Sequence, residues 1–264
     1  HVSGWLTSTG AAAAGVTLKV VVCFPECEPS SAQASPQASS ARWYGEGALH
    51  DAAPAAHHRV DLSSAAGAAV VAPPIIIDHP HLWWPRGSGE AHLYELQAAI
   101  CVECAKPISR SGFITRTIGL RTVELVTESA QPPAPGLPNG TSFYFRVNGV
   151  SIFAKGANVI PAHVFPTSEW DSSARWSWLL EQAAAANMNM VRVWGGGRYQ
   201  PDTFYEMASR LGLMVWQEMI FACALYPRDS AFLALVEREV SEQVRRLELR
   251  LSVVAVGVVC GECA

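Results

Sequence analysis

Five side chains in the C-terminal half could do chemistry if the fold collects them: Asn158, Arg192, Trp194, Glu218 and Glu262. Arg192 and Trp194 belong to the run Met188-Asn189-Met190-Val191-Arg192-Val193-Trp194-Gly195-Gly196-Gly197. This stretch is apolar and rich in β-branched residues, and it stops at three glycines. It reads as a buried strand whose C-terminal end opens into a loop shaped by close backbone approach. Residues two apart on a strand share a face, so Arg192 and Trp194 are predicted to point the same way. Trp194 is then a candidate floor for a ligand, or else a core Trp capped by a loose turn. Glu218 reads as a partner acid, a hydrogen-bond anchor, or a buried acid paired to Arg192.

The elements that must position these residues have a βα rhythm. Phe153–Val159 is a predicted strand, followed by a helix from Ser172 or Ser173 to Asn187 with Trp176, Leu179, Leu180 and Ala183 on one face. Met188–Trp194 is the second strand. A second helix starts at Pro201 and stops at Gly212, which is the usual asymmetry of Pro at a start and Gly at an end. Leu213–Glu218 is the third strand. A long helix spans Asp229 to about Leu249 with Phe232, Leu235, Val236, Val240 and Val244 inward, and Val253–Val259 is the fourth strand. Each strand ends on a functional group: Asn158, Trp194, Gln217-Glu218, Glu262. Such placement at the C-terminal strand ends is what a (β/α)8 active site requires. A carboxylic acid at Glu262, with a second across the barrel mouth, would suit glycoside hydrolysis. The other reading of Glu262 is a solvated Glu near the chain end.

Four strand steps make half of an eightfold barrel, so the sequence reads as cut short. A half barrel exposes a strand edge and an apolar interior, and the 264-residue chain is expected to be poorly stable or aggregation-prone by itself.

Upstream, Val16–Val22, Ala69–Ala72, Ile75–Ile77, His92–Ile100, Gly112–Leu120 and Arg121–Val126 are short strands between turns, the density of an antiparallel sandwich. The stretch 26–67 is dominated by Ala, Ser, Pro and Gln and reads as an unpacked insertion, with His57 and His58 solvated rather than ligating. A Pro/Gly-rich segment marks the best boundary. The predicted organisation is a β-sandwich region at 1–128, a linker at 129–142, and the first half of a barrel at 143–264. Just after the linker, Asn148-Gly149 between two apolar runs predicts a β-hairpin with a type I′ turn. Asn139-Gly140-Thr141 is a glycosylation sequon, meaningful only on the secretory route.

Composition narrows the functions. A net charge of −4 gives no reason to expect nucleic acid or an anionic membrane as partner, and no apolar run is long enough to span a bilayer. The chain opens on His without a basic-then-apolar leader, so it reads as processed or as a piece. Cys101/Cys104 and Cys260/Cys263 have C-x-x-C spacing, but the gap between the pairs is too long for a compact zinc ribbon, so buried thiols are expected and no metal or cofactor.

The motifs together resemble the β-mannosidases of glycoside hydrolase family 2. The matching strings are Val147-Asn148-Gly149, Phe153-Ala154-Lys155-Gly156-Ala157-Asn158, Ile160-Pro161-Ala162, Ala186–Gly197, Phe204-Tyr205, Val215-Trp216-Gln217-Glu218 and Phe221-Ala222-Cys223-Ala224-Leu225-Tyr226-Pro227. Leu82-Trp83-Trp84-Pro85-Arg86-Gly87 and Ile118–Leu125 resemble the end of the family's immunoglobulin-like domain. The resemblance implies an immunoglobulin-like β-sandwich followed by a (β/α)8 barrel. It also implies retaining hydrolysis of terminal β-mannosyl residues by an acid/base Glu after the fourth strand and a nucleophilic Glu after the seventh. It implies Trp194 lining the mannose subsite, with Arg192, Asn158 and Glu218 beside it, and a β-mannoside oligosaccharide or glycoprotein-derived glycan as partner. A lysosomal or secreted setting fits ahead of the cytoplasm. The chain departs from the family at the acid/base motif, which there reads Trp-x-Gly-Asn-Asn-Glu and here reads Val256-Gly257-Val258-Val259-Cys260-Gly261-Glu262. Val159 stands where the family has Trp, and His163 where it has Asp. A non-catalytic relative that keeps only a carbohydrate-binding or scaffold role is the competing expectation.

Overall fold

The fold is mixed: antiparallel sheets first, then alternating strands and helices. The computed structural model describes residues 2–7, 16–22, 43–50, 57–61, 70–71, 75–77, 79–102, 113–129, 140–163, 165, 173–248, 250 and 252–257. Two compact units divide the chain: His1–His81 with Leu93–Leu120, and Leu82–His92 with Arg121–Ala264.

The first unit is built of β1 (Val2–Thr7), β2 (Val16–Val22), β3 (Trp43–His50), β4 (His57–Asp61), β5 (Val70–Val71), β6 (Ile75–Ile77), β7 (Tyr94–Val102) and β8 (Phe113–Ile118). β2 pairs antiparallel with β1, β5 and β6, and a second antiparallel sheet has the order β4-β3-β7-β8. The segment 26–67 thus differs from the expectation of an unpacked insertion, because it supplies β3 and β4. Its small residues carry no clear alternation. The strand at 43–50 is set by its partner, β7, which it follows from Trp43↔Val102 to His50↔Glu95, a case of pairing overriding local preference. His57 and His58 therefore open a strand rather than sit in a loop.

In the second unit, β9 (Val123–Val126), β10 (Tyr144–Val147) and β11 (Val150–Ile152) form an antiparallel sheet in the order β11-β10-β9. β9 was expected on the sandwich side of the boundary; its pairing with β10 groups it with the second unit. Residues 130–139, and with them Asn139 of the sequon, lie outside the described residues. The predicted hairpin forms, with Asn148 at φ 51° and Gly149 at φ 79°, the two positive values a type I′ turn requires. Asn148 is held there by its own side chain. Its Oδ1 accepts from the Thr122 amide at 2.9 Å and its Nδ2 donates to the Trp83 carbonyl at 2.9 Å.

The rest follows the βα pattern: β12 (Gly156–Val159), α1 (Ser173–Ala185), β13 (Met190–Val193), α2 (Asp202–Leu211), β14 (Met214–Glu218), α3 (Ser230–Glu248) and β15 (Val253–Gly257). The four strands are parallel, in the order β12-β13-β14-β15. Residues of one parity face the helices. Val191, Val193 and Val215 join Trp176, Leu180, Phe204, Tyr205, Ala208, Leu213 and Leu247 in one apolar core. Past the end of α1, Asn187 adopts φ 60°, and α2 is capped by Gly212 with φ 69°. α3 starts where Asp229 Oδ1 accepts the Phe232 amide at 3.0 Å, an N-cap. The inward face predicted for α3 needs correcting: Leu235 and Val244 are exposed, and Leu247 is the residue fully buried. The contacting stripe runs through 232, 236, 240, 243 and 247, all less than fully exposed, at steps of three and four.

Residues 82–92 dock against the end of α2. Trp83 is fully buried and its indole N–H donates to the Ser209 carbonyl at 2.8 Å, while the Arg86 amide donates to the Gly212 carbonyl at 2.8 Å. A Cβ on Gly212 would lie 2.9 Å from the Arg86 nitrogen, so glycine is required there by space as well as by φ.

Beneath the sheet, Tyr205 donates to Gln217 Oε1 at 2.6 Å and its carbonyl accepts from Ser209 and Ser252 hydroxyls at 2.8 and 3.1 Å. Burial pushes the Tyr205 phenol up to about 12, against the opposing pull of Arg246, and burial likewise pushes Tyr199 up to about 12. A raised phenol favours the neutral form in the fold. The stability it contributes is therefore complete below the ordinary value of 10.0 and is lost as pH rises through about 12. Alkaline titration of tyrosinate absorbance is expected to show a late step near 12, reduced in amplitude in Tyr205→Phe; an unchanged late step would contradict the assignment.

Candidate functional site

Parallel register places Asn158, Arg192 and Trp216 side by side on β12, β13 and β14, on the face opposite the helical core. Glu218 follows two residues after Trp216 and shares that face. Its carboxylate is 1% exposed and both oxygens are engaged. Arg192 Nε donates to Oε1 at 2.6 Å, a second guanidinium nitrogen pairs with the same oxygen, and the Gly195 amide donates to Oε2 at 2.8 Å. The guanidinium itself is about one third exposed, and its remaining terminal nitrogen donates to Asn158 Oδ1 at 3.1 Å. A buried carboxylate is thus neutralised on one side by a cation and on the other by a backbone dipole.

Trp194 stands at the exit of β13, half-buried, with its amide bonded to the Val159 carbonyl at 3.0 Å. The glycines after it are glycines for want of room. A Cβ on Gly195 would lie 2.5 Å from the Met219 carbonyl, one on Gly196 would lie 2.1 Å from the Trp194 ring, and one on Gly197 would lie 2.8 Å from the Pro161 ring. The indole is therefore laid across the Gly196 backbone, and the loop is pressed against the exits of β12 and β14.

On the same face of the sheet lies a cavity of about 480 Å³, within the range of small-molecule sites. Phe143, Phe145, Ile152 and Phe153 wall it on one side, and Asn158, Arg192 and Trp216 on the other. Phe143 stacks on Trp216 at 5.8 Å and Phe145 meets it edge-on at 6.3 Å. Trp194 is not one of its walls.

Of the five candidates, the structure brings Asn158, Arg192 and Glu218 into one hydrogen-bonded cluster and ties Trp194 to it through Gly195. Glu262 lies outside the described residues, as do Cys104, Cys260 and Cys263. Among the alternatives for Glu218, the geometry matches the acid paired to Arg192. Sequence reasoning missed Trp216, although strand alternation from Glu218 pointed to it. It also missed Asn189, buried between two methionines, whose Oδ1 accepts from the Lys155 amide at 2.7 Å and whose Nδ2 donates to the Phe153 carbonyl at 3.0 Å. An amide inside an apolar strand was the signal. Among the described residues no cluster of His, Cys, Asp and Glu could hold a metal ion.

Removing one member of a buried pair typically costs about 3–5 kcal/mol, less where the partner reaches solvent. Arg192→Met strands the Glu218 carboxylate and is expected to cost about 3 kcal/mol in urea unfolding. The double variant Arg192→Met/Glu218→Leu is expected to recover much of that loss; equal destabilisation by the two variants would contradict the pairing.

No family model matches the chain. Over 172 residues, 65% of its length, it is 44% identical to a β-mannosidase of Bos taurus. It is 40% identical over 176 residues to a probable β-mannosidase of Caenorhabditis elegans and 38% identical over 179 residues to β-mannosidase B of Aspergillus niger. The matches cover 18–20% of these relatives, so the chain spans about a fifth of the length of the curated relatives it matches. Among solved structures it is similar to the β-D-mannosidase of Dictyoglomus thermophilum, with a TM-score of 0.75 and 32% identity over 96% of this chain and 28% of that one. An exo-chitosanase of Amycolatopsis orientalis, 18% identical with a TM-score of 0.67 over 97% of this chain and 28% of that one, shares the fold. Sequence and fold agree on one kinship: the β-mannosidases, whose motifs this chain resembles, are the enzymes to which about two thirds of it is similar.

Proposed function

We propose that the chain supplies an immunoglobulin-like sandwich and the first half of a (β/α)8 barrel to a β-mannosidase-type glycoside hydrolase. The reaction of the whole enzyme is then retaining hydrolysis of terminal non-reducing β-D-mannose residues from oligosaccharides or glycoprotein-derived glycans, in a lysosomal or secreted setting. The observation that supports this most is the gathering of Asn158, Arg192 and Glu218 on one sheet face, with Trp194 at the exit of β13, inside a segment similar to β-mannosidases. Within this reading the Trp194 ring is the platform on which the apolar face of mannose rests. Asn158 and the exposed edge of Arg192 offer polar groups beside it.

Retention requires two carboxyls about 5–5.5 Å apart, one attacking the anomeric carbon and one protonating the leaving oxygen. Glu262 is assigned the acid/base role, and its partner is expected from a strand not represented among these 264 residues. The chain by itself is therefore expected to leave β-mannosides intact. A second reading, a carbohydrate-binding relative without catalysis, is favoured by two facts. Among the described residues no carboxylate lines the cavity, and the segment 256–262 lacks the aromatic and both Asn residues of the family's acid/base motif.

The readings separate in a chain extended to the length of the relatives and assayed on a panel of aryl glycosides. Turnover of the β-mannoside ahead of the glucoside and galactoside supports the enzyme; sugar binding in calorimetry without turnover supports the second reading. Trp194→Ala is expected to raise KM for the aryl β-mannoside by about tenfold, about 1.4 kcal/mol for a lost aromatic contact. An unchanged KM would remove Trp194 from the sugar site.

A further inference from the structure

We infer that Glu218 is a positioning residue rather than a sugar contact: it clamps the exit of β13 so that Trp194 and Arg192 keep one orientation toward the ligand. The inference rests on Trp194 being the sugar platform, and it concerns how that platform is held. Three observations carry it. The Glu218 side chain is 1% exposed, and its two oxygens are occupied by Arg192 and by the Gly195 amide, so it has no face to offer a ligand. The Gly195 amide it holds is the first backbone group after Trp194. Backbone at 195–196 determines where the indole lies, because the ring is laid across Gly196 with no room for a Cβ between them. Finally, two guanidinium nitrogens bind one oxygen of Glu218, which turns the third toward Asn158 on the neighbouring strand. One carboxylate thus fixes the direction of both Arg192 and Trp194 without meeting the ligand.

Substitution chemistry makes the role testable. In Glu218→Gln the side chain has a single acceptor oxygen. Two N–H groups of Arg192 compete for it against one from Gly195, so the oxygen stays with Arg192 and the amide NH₂ faces the Gly195 N–H, donor against donor. Glu218→Asp keeps the charge opposite Arg192 and shortens the reach by one methylene. It therefore frees Gly195 without stranding a cation, and serves if the Gln variant fails to fold.

The experiment uses the chain extended to the length of its relatives, labelled with ¹⁵N-glycine and 5-fluorotryptophan, with the Trp194 signal assigned by its loss in Trp194→Phe. Both variants are expected to speed Gly195 amide exchange by about tenfold or more, the worth of a hydrogen bond to a charged group. They are expected to shift the Trp194 fluorine signal while leaving that of Trp176, buried in the helical core, in place. Unmoved Gly195 and Trp194 signals in a folded variant, with only a lowered melting temperature, would reduce Glu218 to a structural residue and overturn the clamp. Methyl β-D-mannoside added to the wild-type chain isolates the other premise. A shift of the Trp194 signal supports the platform, and no shift at saturating sugar overturns its role in binding whatever the variants do.

Discussion

A parallel strand flanked on both sides has to satisfy two environments with alternate residues, and nearly everything in the second unit depends on how β13 and β14 do so. Residues 191, 193 and 215 are valines that close against the helices. Their neighbours 192, 216 and 218 are an Arg, a Trp and a Glu, grouped on the opposite face. Shifting either strand by one residue would drive a guanidinium or a carboxylate into the apolar core and expel valines from it. The register that packs the helices is therefore the register that assembles the site. This coupling gives a physical reason for charged residues in strands whose helix-facing positions are mostly valine.

The same logic governs the buried polar groups on the helical side. Gln217 is fully buried, yet its amide accepts from Tyr205 and donates to the Glu218 carbonyl at 2.7 Å. Ser252 is equally buried and is satisfied through Ser209 and Tyr205. These bonds link α2 to β14 and to the residue that leads into β15. A polar group inside a core is costly unless paired. Here the pairings also fix how far α2 can slide, because each partner lies on a different element.

Much of the second unit was legible in the sequence because its signals are local. Pro201 and Gly212 punctuate α2, Asn148-Gly149 dictates a turn with two positive φ angles, and a glycine triplet announces crowding that the Met219 carbonyl, the Trp194 ring and Pro161 supply. The first unit was less legible. β3 and β4 consist largely of small or polar residues, and nothing within Trp43–His50 marks a strand until β7 lies beside it. The inward stripe of α3 was misplaced for a related reason. Leu235 and Val244 are apolar, but only the packing geometry decides which apolar residues of a long helix find a neighbour. At the site, Arg192 could be set apart from the inward valines by counting, whereas the destination of the Glu218 carboxylate could not. An acid at a strand end has several partners within reach, and the loop geometry at Gly195 selects among them.

The docking of residues 82–92 on the end of α2 has a consequence for the autonomy of the two units. The chain leaves the first unit at His81, contributes Trp83 and Arg86 to the second, returns at Leu93, and departs again after Leu120. The peptide thus passes between the units three times. No single cut yields both units whole. Cleavage after residue 120 leaves the C-terminal piece without the indole that fills the space beside Ser209, and without the amide that caps Gly212. Such a piece loses a plug rather than a tail.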